Sequence, residues 1–105
     1  MEKAYKLIGL AKKAGKVKSG EANVKLSVAE GSAYAVLIAS DISDNTKKSI
    51  TNSCKYYGVD YYTVGDMLTL GHSIGNDFNA AVAITDEGLA NLITERLKNN
   101  NGGVK

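Results

Sequence analysis

Apolar positions along the chain follow two spacings, one typical of helices and the other of buried strands. Residues 2–14 carry apolar side chains three to four positions apart, which predicts a helix that ends near Gly15. Residues 35–39 are a continuous apolar run of strand length, as in a strand that is covered on both faces, and residues 80–85 predict another buried strand. Residues 61–64, with two tyrosines, a threonine and a valine, also favour a strand.

Polar and glycine residues between these strands predict where the remaining helices begin and end. Serine, aspartate and threonine favour helix N-termini, and glycine favours the position after a helix. These signals predict three helices. The first covers about residues 44–57 and ends at Gly58, and the second runs from Asp66 to Ile74, before Gly75. The third runs from Thr85 or Asp86 to about Leu97. A short extended segment is predicted at residues 16–19.

Residues 20–30 fit two interpretations. Val24, Leu26 and Val28 alternate as in a strand, whereas residues 29–31 resemble a helix C-terminus. We interpret the segment as a helix. Strands and helices then alternate along the chain, which predicts an α/β fold, a three-layer α-β-α sandwich with a mixed four-stranded sheet.

The composition fits one globular domain. The chain has 105 residues, of which 44% are hydrophobic and 23% are charged. We expect a single domain at residues 1–98 and a flexible tail at residues 99–105, which are rich in asparagine and glycine. No apolar run approaches the roughly 20 residues of a membrane span, and the first residues do not resemble a signal peptide. These features predict a cytoplasmic protein with no membrane partner.

Charge is distributed unevenly although the net charge is only +2. Residues 1–25 hold seven lysines and two glutamates, a net charge of +5, while residues 26–105 carry a net charge of −3. Such an asymmetry suits a polyanionic partner, although a solvated helix face explains it equally well.

The chain offers little material for catalysis or metal binding. Cys54 is the only cysteine and His72 the only histidine, so a disulfide within the chain is impossible and a cysteine-based metal site lacks its ligands. The common phosphate-loop, dinucleotide-binding, zinc-protease and nucleophile-elbow motifs do not occur. We therefore predict no catalytic residues, no metal, no cofactor and no small-molecule substrate.

A lysine-rich segment before the second helix is the first candidate binding site. Lys16 and Lys18 precede Gly20, where a helix N-terminus presents unpaired N–H groups that favour an anion such as phosphate. The amide of Asn23 both donates and accepts hydrogen bonds, which suits a base edge. An ordinary capped turn is the alternative interpretation.

Two further loops leave or enter predicted strands. In residues 40–46, Asp41 is placed either to accept a hydrogen bond from a base or ribose or to cap the helix that follows. In residues 75–79, an exposed Phe78 would be able to stack on a base, although a buried aromatic side chain is more common.

Several of these segments also resemble a known family. Five of them carry the resemblance, in register over about residues 5–95: residues 9–21, 37–48, 54–59, 70–75 and 82–88. They are similar to bacterial proteins of the YlxQ type, within the ribosomal L-seven-Ae, L-thirty-e, S-twelve-e and Gadd-forty-five superfamily. The resemblance implies an α-β-α sandwich that binds kink-turn RNA, in which a bulge and tandem sheared G·A pairs bend a helix.

Family members read the guanines with a G-x-N-E-x-x-K pattern, and this chain departs from it. Gly20 is retained, but Ala22, Asn23 and Leu26 occupy the Asn, Glu and Lys positions. Losing one base-reading side chain costs about 1–3 kcal/mol by analogy with DNA readout, so the implied discrimination is weaker. From the loops and the resemblance together we expect these residues to contact RNA: Lys16, Lys18, Ser19, Gly20, Glu21, Asn23, Asp41, Ile42, Gly75, Asn76, Phe78 and Asn79.

The leading hypothesis is a non-catalytic binder of structured RNA, in ribosomal RNA or another ribonucleoprotein, with ribonucleoprotein proteins as further partners. A protein–protein adaptor is the alternative, because Ala22 and Leu26 would form an apolar helix face. A small hydrolase or transferase is the third class, and it lacks a nucleophile–base pair.

Overall fold

The computed structural model describes residues 2–101, and the side chains of residues 3–98. Five helices and four strands alternate in this part of the chain, which confirms the predicted α/β class. Their order is α1 (Glu2–Lys13), β1 (Val17–Ser19), α2 (Glu21–Ala29), β2 (Ala35–Ala39), α3 (Asp44–Tyr57), β3 (Tyr61–Val64), α4 (Met67–Ser73), β4 (Ala81–Ile84) and α5 (Glu87–Asn101).

The strands form one mixed sheet in the order β1-β4-β2-β3. β4 is antiparallel to both of its neighbours, with Val82 opposite Ser19 of β1 and opposite Leu37 of β2. β3 runs parallel to β2, with Tyr62 beside Leu37. Every residue of β2 and β4 is buried, as expected of central strands with both faces covered. The predicted mixed four-stranded sheet is confirmed.

Helices cover both faces of the sheet and complete the three layers. Successive side chains of a strand point to opposite faces, so β2 sends Leu37 to one core and Val36 and Ile38 to the other. Helices α1, α4 and α5 pack on the Leu37 face, and α2 and α3 pack on the Val36 face. Fully buried Ile8 of α1 and Ile50 of α3 each contribute about 1.5–3 kcal/mol of burial free energy.

Helix α2 settles the ambiguous segment. Val24 and Val28, four residues apart, are buried against the sheet, while Leu26 between them is 61% exposed. Only a helical period places the first two on one face and the third on another. The helix interpretation is therefore confirmed, and the apparent strand alternation came from an exposed leucine.

Helix α5 is longer than the sequence predicts. It runs to Asn101 rather than ending near Leu97, so the first three residues of the predicted tail continue the helix. Asparagine is a poor helix former but does not break a helix, and the first glycine of the tail is Gly102. The rest of that prediction, residues 102–105, lies outside the described residues. Within residues 2–101, no helix has the length and apolar character of a membrane span.

Candidate nucleic-acid interface

Four loops meet where β1, β2 and β3 end and β4 begins. The Gly20 N–H donates to the Ala81 carbonyl at 3.0 Å, and the Ser40 N–H donates to the Gly65 carbonyl at 2.9 Å. These bonds continue the sheet pairing into the loops, so the loops are held side by side. We call this surface the loop edge, and it comprises residues 19–21, 40–43, 65–66 and 75–80. The three loops chosen from the sequence are thus brought together, and a fourth joins them.

The turn into α2 is open at the loop edge. Gly20 occupies the N-cap position with φ 90° and ψ 155°, and no side chain in the described part of the chain caps this helix. The N–H groups of the first turn therefore point outward at the positive end of the helix dipole. Beside them is a hollow of about 480 Å³, lined by Glu21, Ala22 and Lys25. The arrangement suits a phosphate or another anion.

Asn23 stabilises the turn rather than pointing freely outward. Its side-chain amide donates to the Ser19 carbonyl at 3.1 Å, which links the end of β1 to the first turn of α2. Asn23 remains exposed, and its side-chain oxygen is an acceptor that the bond to Ser19 does not use. Ser19, Gly20 and Glu21 are each partly exposed, so the turn is not buried.

The next two helices at the loop edge have caps. Ser43 accepts from the Thr46 N–H at 3.2 Å at the start of α3, and Asp66 accepts from the Thr69 N–H at 2.8 Å at the start of α4. The Thr69 N–H, followed by the Thr69 hydroxyl, lowers the pKa of the Asp66 carboxyl below its ordinary value. Helix α2 is therefore the exception among the three.

Asp41 has a different role from the one expected of a helix cap. Its carboxylate accepts from the Met67 N–H at 2.9 Å, so it binds the start of α4 and not the start of α3. The prediction that it caps the following helix is wrong, because Ser43 holds that position. Asp41 is exposed, and neighbouring Ile42 is partly buried and packs against both cores. This loop is therefore anchored on both sides.

A tight contact with α4 shapes the loop of residues 75–80. A Cβ atom at Gly71 would lie 2.8 Å from the backbone nitrogen of Phe78, so only glycine admits the loop at this distance. The Asn76 N–H donates to the Gly71 carbonyl at 2.9 Å, and Gly75 turns the chain with φ 81°. Phe78 is 66% exposed, so its ring is available at the surface, as a stacking role requires.

Asn79 is not a surface residue, which corrects one predicted contact. It is only 7% exposed, and its N–H donates to the Met67 carbonyl at 3.1 Å. Asn79 lies two residues before β4, between the loop and the sheet. Asn79 therefore supports the loop that presents Phe78.

Lys16 and Gly20 lie at opposite ends of β1. Lys18 is exposed on β1, opposite Ala83. The Lys16 carbonyl accepts from the Thr85 N–H, at the far end of β1 from Gly20, and four extended residues span about 13 Å. Of the two lysines expected to contact RNA, Lys16 therefore lies farther from the Gly20 turn than Lys18 does.

Two other lysines lie closer to the loop edge than Lys16. Lys47 and Lys48 are exposed within the first two turns of α3, which begins at the loop edge. Neither lysine was among the residues predicted to contact RNA. Their position just after a predicted loop and helix start was the signal that would have found them.

Cys54 and His72 occupy ordinary positions. Cys54 is fully buried among the apolar side chains of α2, α3 and the sheet, and burial raises the pKa of its thiol to about 11. His72 is exposed on α4. Within the described residues, no group of three or more His, Cys, Asp or Glu side chains is placed to hold a metal ion.

Comparison with known proteins places this surface in context. The chain is 42% identical over 93 residues to the RNA-binding protein YlxQ of Bacillus subtilis (strain 168), covering 89% of this chain and 93% of the relative. It is 32% identical over 97 residues to the RNA-binding protein YlxQ of Enterococcus faecium, covering 92% and 93%. Both names describe RNA-binding proteins and not enzymes.

Solved structures share the fold. A protein of unknown function from Bacillus halodurans C superposes with a TM-score of 0.86 at 29% identity, covering 89% of this chain and 94% of that one. The Giardia lamblia 15.5kD RNA binding protein superposes with a TM-score of 0.76 at 22% identity, covering 95% and 86%. Residues 2–94 match the family model itself. The chain belongs to the Ribosomal protein L7Ae/L30e/S12e/Gadd45 family.

Proposed function

We propose that this protein binds structured RNA at the loop edge and that its preferred target is a kink-turn. The observation that carries the proposal is the uncapped start of α2 at Gly20, beside the anchored loops of Asp41 and Phe78. Free N–H groups suit a phosphate, and an exposed aromatic ring suits a base that has left its stack. The names of the YlxQ relatives support the same partner.

The kink-turn preference follows from the shape of the loop edge. The α2 N-terminus and the loop of Phe78 lie on neighbouring strands, since Gly20 bonds to Ala81. A sharply bent RNA brings a phosphate backbone and a displaced base close together, so it satisfies both features at once. The exposed side chains of Ala22 and Leu26 are apolar and cannot form hydrogen bonds with base edges. The expected discrimination between kink-turns and other RNAs is therefore modest.

We further propose that the RNA is part of the ribosome or of another cytoplasmic ribonucleoprotein. The small domain carries its positive charge in the first quarter of the chain, and it offers one compact edge for a local RNA feature. Crosslinking in cells followed by sequencing of the bound RNA identifies the target. Recovery of scattered, unstructured RNA would contradict this part of the proposal.

A gel-shift experiment tests the kink-turn proposal. Two RNA duplexes are compared at moderate salt, one with a kink-turn and one in which Watson–Crick pairs replace its G·A pairs. We expect about tenfold tighter binding to the kink-turn, a difference of about 1.4 kcal/mol. Equal binding would overturn the kink-turn preference and leave general RNA binding intact. Failure to bind either duplex would overturn both.

Phe78 provides the sharpest variant for this experiment. We expect Phe78→Ala to weaken kink-turn binding by about tenfold to a hundredfold, because base stacking on an aromatic side chain contributes about 1–3 kcal/mol. The matched control is Tyr56→Ala, which removes an 82% exposed ring near the end of α3, away from the loop edge. If both variants lose affinity equally, Phe78 has no specific role.

A protein–protein adaptor is the second candidate function, and the 61% exposure of Leu26 favours it. A pulldown with nuclease-treated extract distinguishes the two functions. A stable protein partner that is lost with Leu26→Gln, while RNA affinity is unchanged, would establish the adaptor function.

A further inference from the structure

A groove next to the loop edge is not explained by RNA binding there. It lies between α1 and α4, has a volume of about 690 Å³, and is open along its length. Tyr5, Lys6, Leu10 and Lys13 line it from α1, and Thr69 and His72 line it from α4. This volume is within the range of pockets that bind ligands or peptide side chains.

Gly9 forms the narrowest point between the two helices. A Cβ atom at Gly9 would lie 3.0 Å from the Ser73 carbonyl oxygen, so the helices touch there through backbone. The surface of the groove is mostly apolar, and Leu10, which lines it, is 55% exposed. A solvent-exposed leucine in a concave surface is a common feature of peptide-binding grooves.

The length of the groove suits a short helix. Tyr5 and Lys13 are eight residues apart on α1, which corresponds to about 12 Å, or slightly more than two helical turns. Small molecules of that length are extended and flexible, whereas an amphipathic helix presents apolar side chains at the same repeat.

The charges of the groove have one sign. Lys6 and Lys13 lie towards its two ends and His72 lies on the opposite wall, and no Asp or Glu among the described residues lines it. Asp66, at the start of α4, carries one negative charge that interacts electrostatically with His72 and Tyr5, and the two lysines outnumber it. An acidic occupant is therefore electrostatically complementary to this groove.

We propose that the groove binds an acidic amphipathic helix of a partner protein. Its apolar side chains contact Tyr5 and Leu10, and its carboxylates lie against Lys6 and Lys13. The apolar groove surface disfavours a polyphosphate backbone, which separates this surface from the RNA-binding one. The Gly65 N–H donates to the Tyr5 hydroxyl at 3.0 Å, so the groove begins next to the loop edge and runs away from it. The partner and RNA can thus bind together.

Amide chemical shifts of the full chain test the proposal with a defined probe. The probe is a helical peptide of about 14 residues, with leucines on one face and glutamates flanking them, and the control peptide has lysine in place of each glutamate. We expect the acidic peptide alone to shift the amide signals of Gly9, Leu10 and Ser73. Charge reversal by Lys13→Glu is expected to weaken binding by about tenfold.

Lys12→Glu is the matched control, because Lys12 is exposed on the same helix but does not line the groove. We expect it to change peptide affinity less than about threefold, as a rim or distant charge does. A second variant, Leu10→Gln, is expected to abolish the shifts while leaving kink-turn binding unchanged, which also shows that the domain is folded.

Three results would overturn the proposal. The first is equal loss of peptide binding in Lys12→Glu and Lys13→Glu, which indicates only a general charge effect. The second is a shift of the same groove amides by the kink-turn duplex, which makes the groove part of the RNA site. The third is self-association in sedimentation that Leu10→Gln removes, which makes a second copy the occupant.

Discussion

Helices α2 and α3 both begin at the loop edge, each as the next element after a strand, but they begin in different ways. Ser43 caps α3 with its hydroxyl, whereas α2 begins at Gly20 without a side-chain cap. A serine cap stabilises a helix by about 0.5–2 kcal/mol relative to alanine. Helix α2 thus lacks an interaction that its neighbour has, and its N–H groups remain open to a ligand. The difference separates a helix start that stabilises the fold from one that is available for binding.

The backbone of Gly20 explains why the open start is sharply defined. Its N–H completes the pairing of β1 with β4 at Ala81, and its carbonyl accepts from the Val24 N–H at 2.9 Å. A single residue therefore belongs to both the sheet and the helix. With φ 90° and ψ 155° it occupies a region that residues with a Cβ rarely adopt.

The largest effect is expected from Gly20→Ala. Nothing lies within 4 Å of the added Cβ, so the cost comes from the backbone, about 1–3 kcal/mol of folding stability. Relief of this strain displaces the start of α2, and we expect kink-turn affinity to fall by about tenfold or more. Urea unfolding measures the first quantity and gel shift measures the second.

Gly58→Ala is the control for that variant. Gly58 also has a positive φ of 72° and an open Cβ position, but it follows the C-terminus of α3, whereas the N-terminus of α3 lies at the loop edge. It is expected to cost about 1–2 kcal/mol of stability with RNA affinity unchanged within about twofold. If the two variants behave alike in both measurements, the α2 start is not an RNA-binding site.

Ser43→Ala tests the other side of the comparison. Removing the hydroxyl leaves the Thr46 N–H without its side-chain acceptor, and we expect a loss of about 1 kcal/mol in the free energy of unfolding. Kink-turn affinity is expected to fall much less than for Gly20→Ala, because this cap does not hold the α2 start. A large loss of RNA binding at unchanged stability would show that Ser43 contacts RNA itself.

The elements of the fold were predictable because their signals are local. Residues 35–39 and 80–85 were predicted as buried strands, and β2 and β4 are the two central strands of the sheet. The segment of residues 20–30 was uncertain only because Leu26 is an exposed apolar residue. The end of α5 was missed since three asparagines neither favour nor break a helix. Local chemistry therefore determined most boundaries.

The site was only partly predictable because its contacts join distant parts of the chain. One of the two roles considered for Asp41 was to cap the nearest helix, but its partner is the Met67 N–H, 26 residues away. Lys16 was placed with Gly20 by sequence proximity, and the extended β1 separates them. The groove of α1 and α4 has no sequence signal at all, since it depends on Gly9 meeting Ser73.

A smaller effect is expected from Lys18→Ala. The exposed ammonium on β1 lies nearer the open α2 start than Lys16 does, so its removal is expected to weaken RNA binding severalfold and to lower the slope of log affinity against log salt by about 1. Lys16→Ala is expected to change both quantities less. A larger effect at Lys16 would move the RNA path toward the far end of β1.

The smallest effect is expected from Asp66→Asn at the third helix start. Asparagine also caps helices, so the variant retains the bond from Thr69 but does not titrate. The pKa of Asp66 in the folded protein is lowered from an ordinary value of about 3.9, chiefly by the Thr69 N–H. The stabilisation from its charge is thus present above about pH 4 and is lost as the pH falls through the lower, folded pKa.

Thermal unfolding from pH 7 down to pH 2 measures this difference. We expect the acid-induced decrease in Tm to be shallower for Asp66→Asn than for the unsubstituted protein, because the folded pKa of Asp66 lies below the unfolded one. Between pH 5 and pH 7 the carboxylate is ionised in both the folded and the unfolded state. The two curves are therefore expected to be parallel in that range. Glu95→Gln, on an exposed position of α5, controls for the loss of any surface carboxylate. If both variants reduce the acid-induced decrease in Tm equally, the charge of Asp66 does not stabilise the start of α4. The difference between α4 and α2 would then lie only in the hydrogen bond of the cap.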